Sequence, residues 1–274
     1  MIVLKLIYRI FYYLKYYIKA KSIHKVDSPV LFAIFNEILD DNRQYYAFEK
    51  IEQLRNIISK NQTYFTRTDM GAGMQTTKTT PANLLKQSSI GRTKGEMLFR
   101  IIKWFEPNTI LELGTNLGIS AAYMASVNTD TRVKTLEGDP YLVNLAKEHF
   151  NILSLNNIEV IEGDFLKSLG EIVHNKEVYD VFYVDGNHAK TPTLQYLDTI
   201  LKLSTQKYLI IFDDIYWSKE MAETWILIKS KNNFNLILDL YHWGIVAYIP
   251  ELKATINKTL ISSKYKYFSL GLFR

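Results

Sequence analysis

The chain has 274 residues, 47% of them hydrophobic, enough to bury a full core and to carry a substantial extension beside an α/β domain. It contains no cysteine, which excludes disulfides, thiolate nucleophiles and thiolate metal sites and leaves oxygen and imidazole as the ligands for any ion. Lysine and arginine number 33 against 28 acidic residues, a net charge of +5, too mild an excess to mark a nucleic-acid-binding protein unless it is clustered.

It does cluster at the start, where "MIVLKLIYRIFYYLKYYIKAK" interleaves Lys5, Arg9, Lys15, Lys19 and Lys21 with aliphatic and tyrosine residues. No cleavage site of small residues follows, which argues against a secretory signal. Lys5 and Arg9 interrupt the run of about 18 or more apolar residues that a membrane span requires. The stretch reads as a basic amphipathic helix that packs on the rest of the chain or on a second copy, with an anionic membrane surface as the alternative.

Residues 28–60 read as helices: "SPVLFAIFNEIL" offers Ser28 as a cap and Pro29 at the first helical position, and "AFEKIEQLRNIISK" repeats apolar residues at helical spacing. Between Asn61 and Gly95 no period is sustained. This Thr-, Ser-, Gly- and Gln-rich segment reads as a long loop or lid with one short helix, its "TDMGAGMQTT" offering Asp69 or the 71–73 backbone to the acceptor side. The helix "EMLFRIIKWF" then opens a regular alternation of strands and helices. The strands are expected at 109–113, 132–137, 158–163, 179–185, 207–214, 234–240 and 244–249. Strict alternation implies a parallel sheet with right-handed crossovers and helices on both faces. The last two strands are joined only by "YHW", too short for a crossover, so they pair antiparallel. The expected fold is therefore a Rossmann-like, doubly wound, seven-stranded, mostly parallel sheet with an antiparallel last strand. An N-terminal helical extension with its lid-like loop (1–94), the α/β domain (95–250) and a C-terminal tail (251–274) are the expected divisions.

"LELGTNLGIS" follows a buried strand and opens a helix, with Glu112, Gly114 and Gly118 in an E-x-G-x-x-x-G pattern. Glycines there let backbone and ligand approach closely, and the helix N-terminus presents free amides. The spacing is not the G-x-G-x-x-G of dinucleotide sites. Glu137 ends the second strand 25 residues after Glu112, where an acid can accept hydrogen bonds from both hydroxyls of a ribose. Beyond the third strand, Asp164 is suited to an adenine amino group and Phe165 to its ring. Thr115, Ser120 and Gly138 lie in the same turns and join the cofactor set, as does Asp185.

The fourth strand ends in "YVDGNH" and the fifth in "IFDDIYW", which brings Asp185, Asp213 and Asp214 to one sheet edge. Three carboxylates repel one another unless a cation sits among them, and an oxygen-only donor set favours a hard ion such as Mg²⁺. The other reading is that some of these aspartates cap helices or bind backbone amides. His188, three residues past Asp185, is suited to take a proton near neutral pH, or else to orient an aspartate. Trp217 serves either an acceptor pocket or the core.

From Gly91 to about Pro250, "ILELGTNLGIS", "TLEGDP", "VDGNH" and "FDDIYWSKEM" resemble the catechol O-methyltransferase-like class I S-adenosylmethionine-dependent enzymes, in particular a bacterial group with an N-terminal helical extension. The resemblance implies that Glu112, Gly114 and Gly118 hold the methionine part of S-adenosylmethionine, that Glu137 binds its ribose, and that Asp185, Asp213 and Asp214 hold the metal. It also implies an in-line displacement, with the ion and His188 activating an acceptor hydroxyl. This chain departs from the family pattern at two places: His188 stands where the catechol enzyme has a lysine base, and Asp214 where it has asparagine, as in sugar-modifying relatives. The expected partner is a small phenolic or sugar hydroxyl acceptor, with a homodimer through the N-terminal helices and a cytoplasmic location, peripheral at the inner membrane surface if the first helix binds lipid. Two other readings stand beside it: a non-catalytic or membrane-peripheral cofactor-binding module, and an RNA 2′-O-methyltransferase.

Overall fold

The computed structural model describes residues 2–26, 28–69 and 75–266. Residues 70–74, and with them the 71–73 backbone considered for the acceptor side, lie outside the described residues.

The basic N-terminal stretch is helix α1 (Ile2–Lys19), and α2 (Pro29–Ile34) continues into one π-helical turn, Phe35–Leu39. Pro29 takes the first helical position, as expected, but the Ser28 side chain makes no capping hydrogen bond. Helix α3 (Tyr46–Lys60) buries Phe48, Ile51, Leu54 and Ile58, the i, i+3, i+6, i+10 stripe of an amphipathic helix. The segment read as a long loop is largely regular. Strands β1 (Phe65–Asp69) and β2 (Gln75–Thr79) form an antiparallel hairpin, and Thr80 caps α4 (Pro81–Gln87) by accepting from the Asn83 amide. Among the described residues the hairpin buries only Phe65 and is otherwise polar, so it leaves no alternating hydrophobic pattern in the sequence.

Helix α5 (Arg92–Phe105) leads into the main sheet. Its strands are β3 (Thr109–Leu113), β4 (Arg132–Glu137), β5 (Ile158–Glu162), β6 (Tyr179–Val184), β7 (Ser204–Asp213), β8 (Leu236–Asp239), β9 (Trp243–Tyr248) and β10 (Ile256–Thr259). The crossover helices are α6 (Ile119–Ala125), α7 (Pro140–Ile152), α8 (Phe165–His174), α9 (Lys190–Leu203) and α10 (Lys219–Lys229). All seven expected strands are present, but the sheet has eight, in the order β10-β8-β9-β7-β6-β3-β4-β5. The antiparallel strand is β9, inserted between β7 and β8. The eighth strand, β10, pairs parallel with β8, so residues 256–259 extend the sheet rather than trail from it. Its sequence, "INKT", is short and only half-buried, which is why no pattern announces it.

Leu111, Leu136, Phe182 and Ile210 are fully buried because helices cover both faces of the central strands, and such strands read as continuous apolar runs. The order of strands reverses around β3, which lies between β4 and β6. In an open α/β sheet the crevice at the carboxyl ends of such a pair is where a ligand fits. Here the loops after β3 and β6 touch, with the Asp185 amide donating to the Leu113 carbonyl at 3.0 Å.

Candidate active site

The crevice opens into a cavity of about 280 Å³ whose lining includes Gly114, Asn116, Glu137, Gly138, Gly163, Asp164, Phe165, Asp185, Asn187, His188 and Tyr196. Gly114 has φ +108°, and a Cβ there would stand 2.3 Å from the Asp185 carbonyl oxygen, so only glycine lets the β3 and β6 loops meet. Glu137 is fixed by two backbone amides, Asn116 to one carboxylate oxygen at 2.8 Å and Asp139 to the other at 3.0 Å. Burial raises its pKa, and those two donors oppose the rise. Each oxygen keeps lone-pair capacity for a further donor. Asp164 caps α8 by accepting from the Lys167 amide, and it also lines the cavity. Phe165 packs edge-on to Tyr196, with ring centroids 6.0 Å apart. A clamped acid and an aromatic wall in one crevice fit a ribose and a base.

Four of the expected cofactor residues, Glu112, Thr115, Gly118 and Ser120, do not line this cavity. Glu112 is fully buried behind the loop rather than in the cavity wall. One of its oxygens accepts from Thr135 at 2.6 Å, and Thr135 is bonded in turn to Thr115, also at 2.6 Å. Its other oxygen has no partner. Burial pushes this carboxyl up to about 7, with the Thr135 hydroxyl and the nearby Ser120 opposing the rise. Gly118 has φ +75°, and a Cβ there would come within 2.7 Å of the Phe150 ring; it allows α6 to pack on α7. Thr115, Gly118 and Ser120 are buried and do not line the cavity; periodicity cannot separate a residue that faces a ligand from one that faces the next helix.

The hairpin meets this same cavity. Arg67 and Thr68 line it, the Thr68 amide donates to Asp139 at 2.7 Å, and Phe65 stacks on Tyr141 with centroids 4.1 Å apart. Its described residues therefore border the cofactor crevice, where the sequence suggested an acceptor-side lid. Asn116, at φ +49°, binds the Ser88 carbonyl at 3.0 Å and so ties the cofactor loop to the end of α4.

Asp185, Asp213 and Asp214 do converge, but with a lysine among them. Lys94, on the first turns of α5, places Nζ 3.0 Å from Asp213 Oδ1 and 3.9 Å from Asp214 Oδ1. Asp213 Oδ1 also accepts from the Asp214 amide at 2.8 Å, and its Oδ2 accepts from the Tyr183 hydroxyl at 3.2 Å. That hydroxyl is 3.5 Å from Asp185 Oδ2, and His188 Nε2 is 3.6 Å from Asp185 Oδ1. Burial, then the charges of Asp213 and Asp214, raise the Asp185 carboxyl well above the usual range, while Lys94 opposes them. Burial alone would lower the Lys94 pKa, yet Asp213, Asp214 and Asp185 outweigh it and hold the ammonium charged. The donor set thus does not fit a divalent ion as it stands: an ammonium occupies the negative focus, and the oxygens of Asp213 are already partnered. Among the described residues no group of three His, Asp or Glu side chains is arranged to hold a metal. Nothing in the sequence flagged Lys94, which belongs to no motif and lies 119 residues from its partner.

A second cavity, of about 470 Å³ and mainly apolar lining, lies on the other side of Lys94. Tyr13 and Tyr16 of α1, Tyr241, Tyr265, Leu240 and Ile261 form its apolar wall, and Lys94, His242, Asp41, Asn42, Gln44, Glu96 and Arg100 are among its polar lining. Burial and the neighbouring Lys94 charge push His242 down to about 4. A smaller adjoining hollow is formed by Arg9, Asp214, Tyr216, Trp217, Tyr241 and His242, with the Arg9 guanidinium 5.3 Å from the Trp217 ring centre. Trp217 is therefore on the surface of this side rather than in the core, 47% exposed.

A family model described as O-methyltransferase matches residues 69–236. The chain is 31% identical over 170 residues to the O-methyltransferase imqG of Aspergillus flavus, covering 60% of this chain and 67% of that one. It is 27% identical over 156 residues to the catechol O-methyltransferase of Niastella koreensis, covering 55% and 70%. Among solved structures, an O-methyltransferase from Bacillus cereus in complex with SAH superposes with a TM-score of 0.55 at 20% identity, over 79% of this chain and 94% of that chain. The O-methyltransferase TomG from Streptomyces achromogenes, involved in tomaymycin synthesis and bound to SAM, gives 0.54 at 15% identity over 80% and 94%. These two likenesses concern the fold.

Proposed function

Because the chain belongs to the O-methyltransferase family and is an S-adenosylmethionine-dependent methyltransferase, we propose that its acceptor is a small, mostly apolar phenol held in the tyrosine-walled cavity. The observation that carries this reading is the second cavity itself, whose wall includes Lys94; Lys94 pairs with Asp213, which the Tyr183 hydroxyl links to Asp185 in the wall of the first cavity. Four tyrosine rings favour a planar apolar body. A sugar would have to turn its hydroxyls to the polar side of the cavity and leave those against the rings unpaired.

In this reading Glu137 takes the ribose hydroxyls, Asp164 the adenine amino group, and Phe165 with Tyr196 the base. When bound, S-adenosylmethionine supplies an electrophilic methyl on a sulfonium. The chain's own part is orientation and charge. Bringing the two reactants together can be worth about 7–11 kcal/mol. His188 stands at the crevice edge beside Asp185, where its imidazole receives the acceptor's proton and Asp185 steadies the resulting charge.

The outer face of α1 leaves Ile10, Phe11, Leu14 and Ile18 exposed, which supports pairing with a second copy through this helix. Among the described residues no helix is long and apolar enough to cross a membrane.

Incubating the protein with radiolabelled S-adenosylmethionine and matched panels of phenols, sugars and short RNAs tests the acceptor class. Label on phenols alone is expected. Label on sugars or RNA with phenols inert would reject it.

A further inference from the structure

We infer that Lys94 stands in for a divalent cation, its ammonium neutralising the Asp213–Asp214 cluster and holding the acceptor oxygen, so that this protein transfers methyl groups without a metal.

The inference rests on the methyl-transfer reading above and on four observations. Lys94 Nζ lies 3.0 Å from Asp213 Oδ1 and 3.9 Å from Asp214 Oδ1, at the centre of the negative charge. Asp213 has no oxygen without a donor, since Lys94 and the Asp214 amide share Oδ1 and the Tyr183 hydroxyl donates to Oδ2. The lysine is also packed as a fixed group: its Nζ is 5.8 Å from the Trp243 ring centre, and Trp243 is fully buried and edge-on to Tyr183. Finally, Lys94 lines the second cavity, so an ammonium hydrogen is available to a hydroxyl oxygen that enters there.

An ammonium can perform the part of the ion's work this reaction needs. It is a compact point charge with three donors, of which Asp213 and Asp214 engage those directed at the cluster. An acceptor hydroxyl bound to it is easier to ionise, because the oxyanion is formed beside a positive charge in a site of low dielectric. The step balances without a further reactant. The O–H bond of the acceptor breaks and its proton goes to a base at the crevice. The oxygen lone pair forms the O–CH₃ bond, and the electron pair of the breaking C–S bond stays on sulfur, giving a neutral thioether and a methyl ether.

Mn²⁺ titration of the full-length protein, followed by electron paramagnetic resonance in the presence of S-adenosylhomocysteine, tests this without an acceptor. The wild-type protein is expected to leave Mn²⁺ free. Lys94→Ala removes the competing charge from among three aspartates and is expected to bind one Mn²⁺ about a hundredfold or more tighter than wild type. Lys94→Gln, which keeps the length of the chain, is expected to do the same should the smaller variant misfold. Adding Asp213→Asn to either should abolish the gain. Stoichiometric Mn²⁺ binding by the wild type at micromolar concentration would overturn the inference, and so would failure of both folded variants to acquire a site. S-adenosylhomocysteine binding, measured calorimetrically on the same samples, separates the two readings: its absence from the wild type would count against methyl transfer itself.

Discussion

Lys94 and Asp213 form a salt bridge of 3.0 Å across 119 residues of chain, joining the first helix of the α/β unit to the strand end that completes the site. Such a pair, with the lysine largely covered, is costly to break singly, because the partner left behind is a buried charge without its counterion. Methyl transfer should therefore persist in excess chelator, while Lys94→Met should lower kcat by about 10²–10³, the usual range for losing one electrostatic stabiliser of a developing anion. Affinity for S-adenosylhomocysteine should change by less than about twofold. Labelled transfer to a phenol with and without chelator, with calorimetry in parallel, checks both.

Glu137 is clamped by the Asn116 and Asp139 amides and so presents fixed oxygens to the cofactor crevice. Glu137→Gln replaces one acceptor by a donor and removes the charge that strengthens hydrogen bonds to hydroxyls. S-adenosylhomocysteine should bind about 10- to 100-fold more weakly, matching a loss of about 1.5–3 kcal/mol. Isothermal titration is the measurement, and unchanged affinity would remove Glu137 from the site.

The hairpin supplies a third test. Arg67 and Thr68 border the cofactor cavity, and the Arg67 charge acts on Glu137. Thr68→Pro deletes the amide that Asp139 accepts from, and Arg67→Ala removes the charge. Each should weaken cofactor binding about threefold to tenfold, the worth of one modest polar contact, and leave the acceptor KM near its wild-type value. The opposite pattern, with acceptor KM raised and cofactor affinity intact, would return the hairpin to the acceptor side.

Glu112 gives the unliganded protein a pH-dependent stability. Burial raises its carboxyl from an ordinary 4.5 to about 7 in the folded chain. A raised acid favours folding while it is protonated, so this contribution is complete below about pH 4.5 and is lost as pH rises through about 7, amounting to about 3 kcal/mol. Urea midpoints of the wild type should fall between pH 5 and pH 8, and Glu112→Gln should flatten that fall.

Gly118→Ala should destabilise the fold rather than the cofactor site. The new Cβ meets the Phe150 ring at 2.7 Å on a backbone with φ +75°, two penalties that together cost about 1–3 kcal/mol. A lowered melting temperature with nearly unchanged S-adenosylhomocysteine affinity is expected; the reverse would restore Gly118 to the cofactor contacts.

The strand–helix alternation was legible because β3, β6 and the second half of β7 are buried on both faces and their apolar runs have no other use. That Glu137, Asp164, Phe165 and the three aspartates gather at one edge was legible because each ends or closely follows a strand, and the carboxyl edge of a parallel sheet gathers whatever lies there. The polar hairpin and the short β10 bury little and so leave no periodic trace. Lys94 is the instructive omission. A lysine in the first turn of an amphipathic helix looks like any solvated charge, and only the crossing of α5 over the end of β7 turns it inward. The sequence exposed the acids and hid their counterion, so a metal was the natural inference from three carboxylates alone.

The two ends of the described chain are clasped together. Lys21 bridges to Leu260, Tyr16 donates to the Leu260 carbonyl, and Lys266 donates to the carbonyls of Tyr17 and Ala20. Tyr13 and Tyr16 from one end and Leu260–Tyr265 from the other thus face each other across the acceptor cavity. The first cavity is lined by residues between Arg67 and Tyr196 alone, whereas the second depends on both of these distant segments. Under the proposed reading the wall of the second cavity is held only as firmly as these two segments grip each other, so a substitution that loosens the Lys266 contacts would slacken the wall without touching a residue of the first cavity.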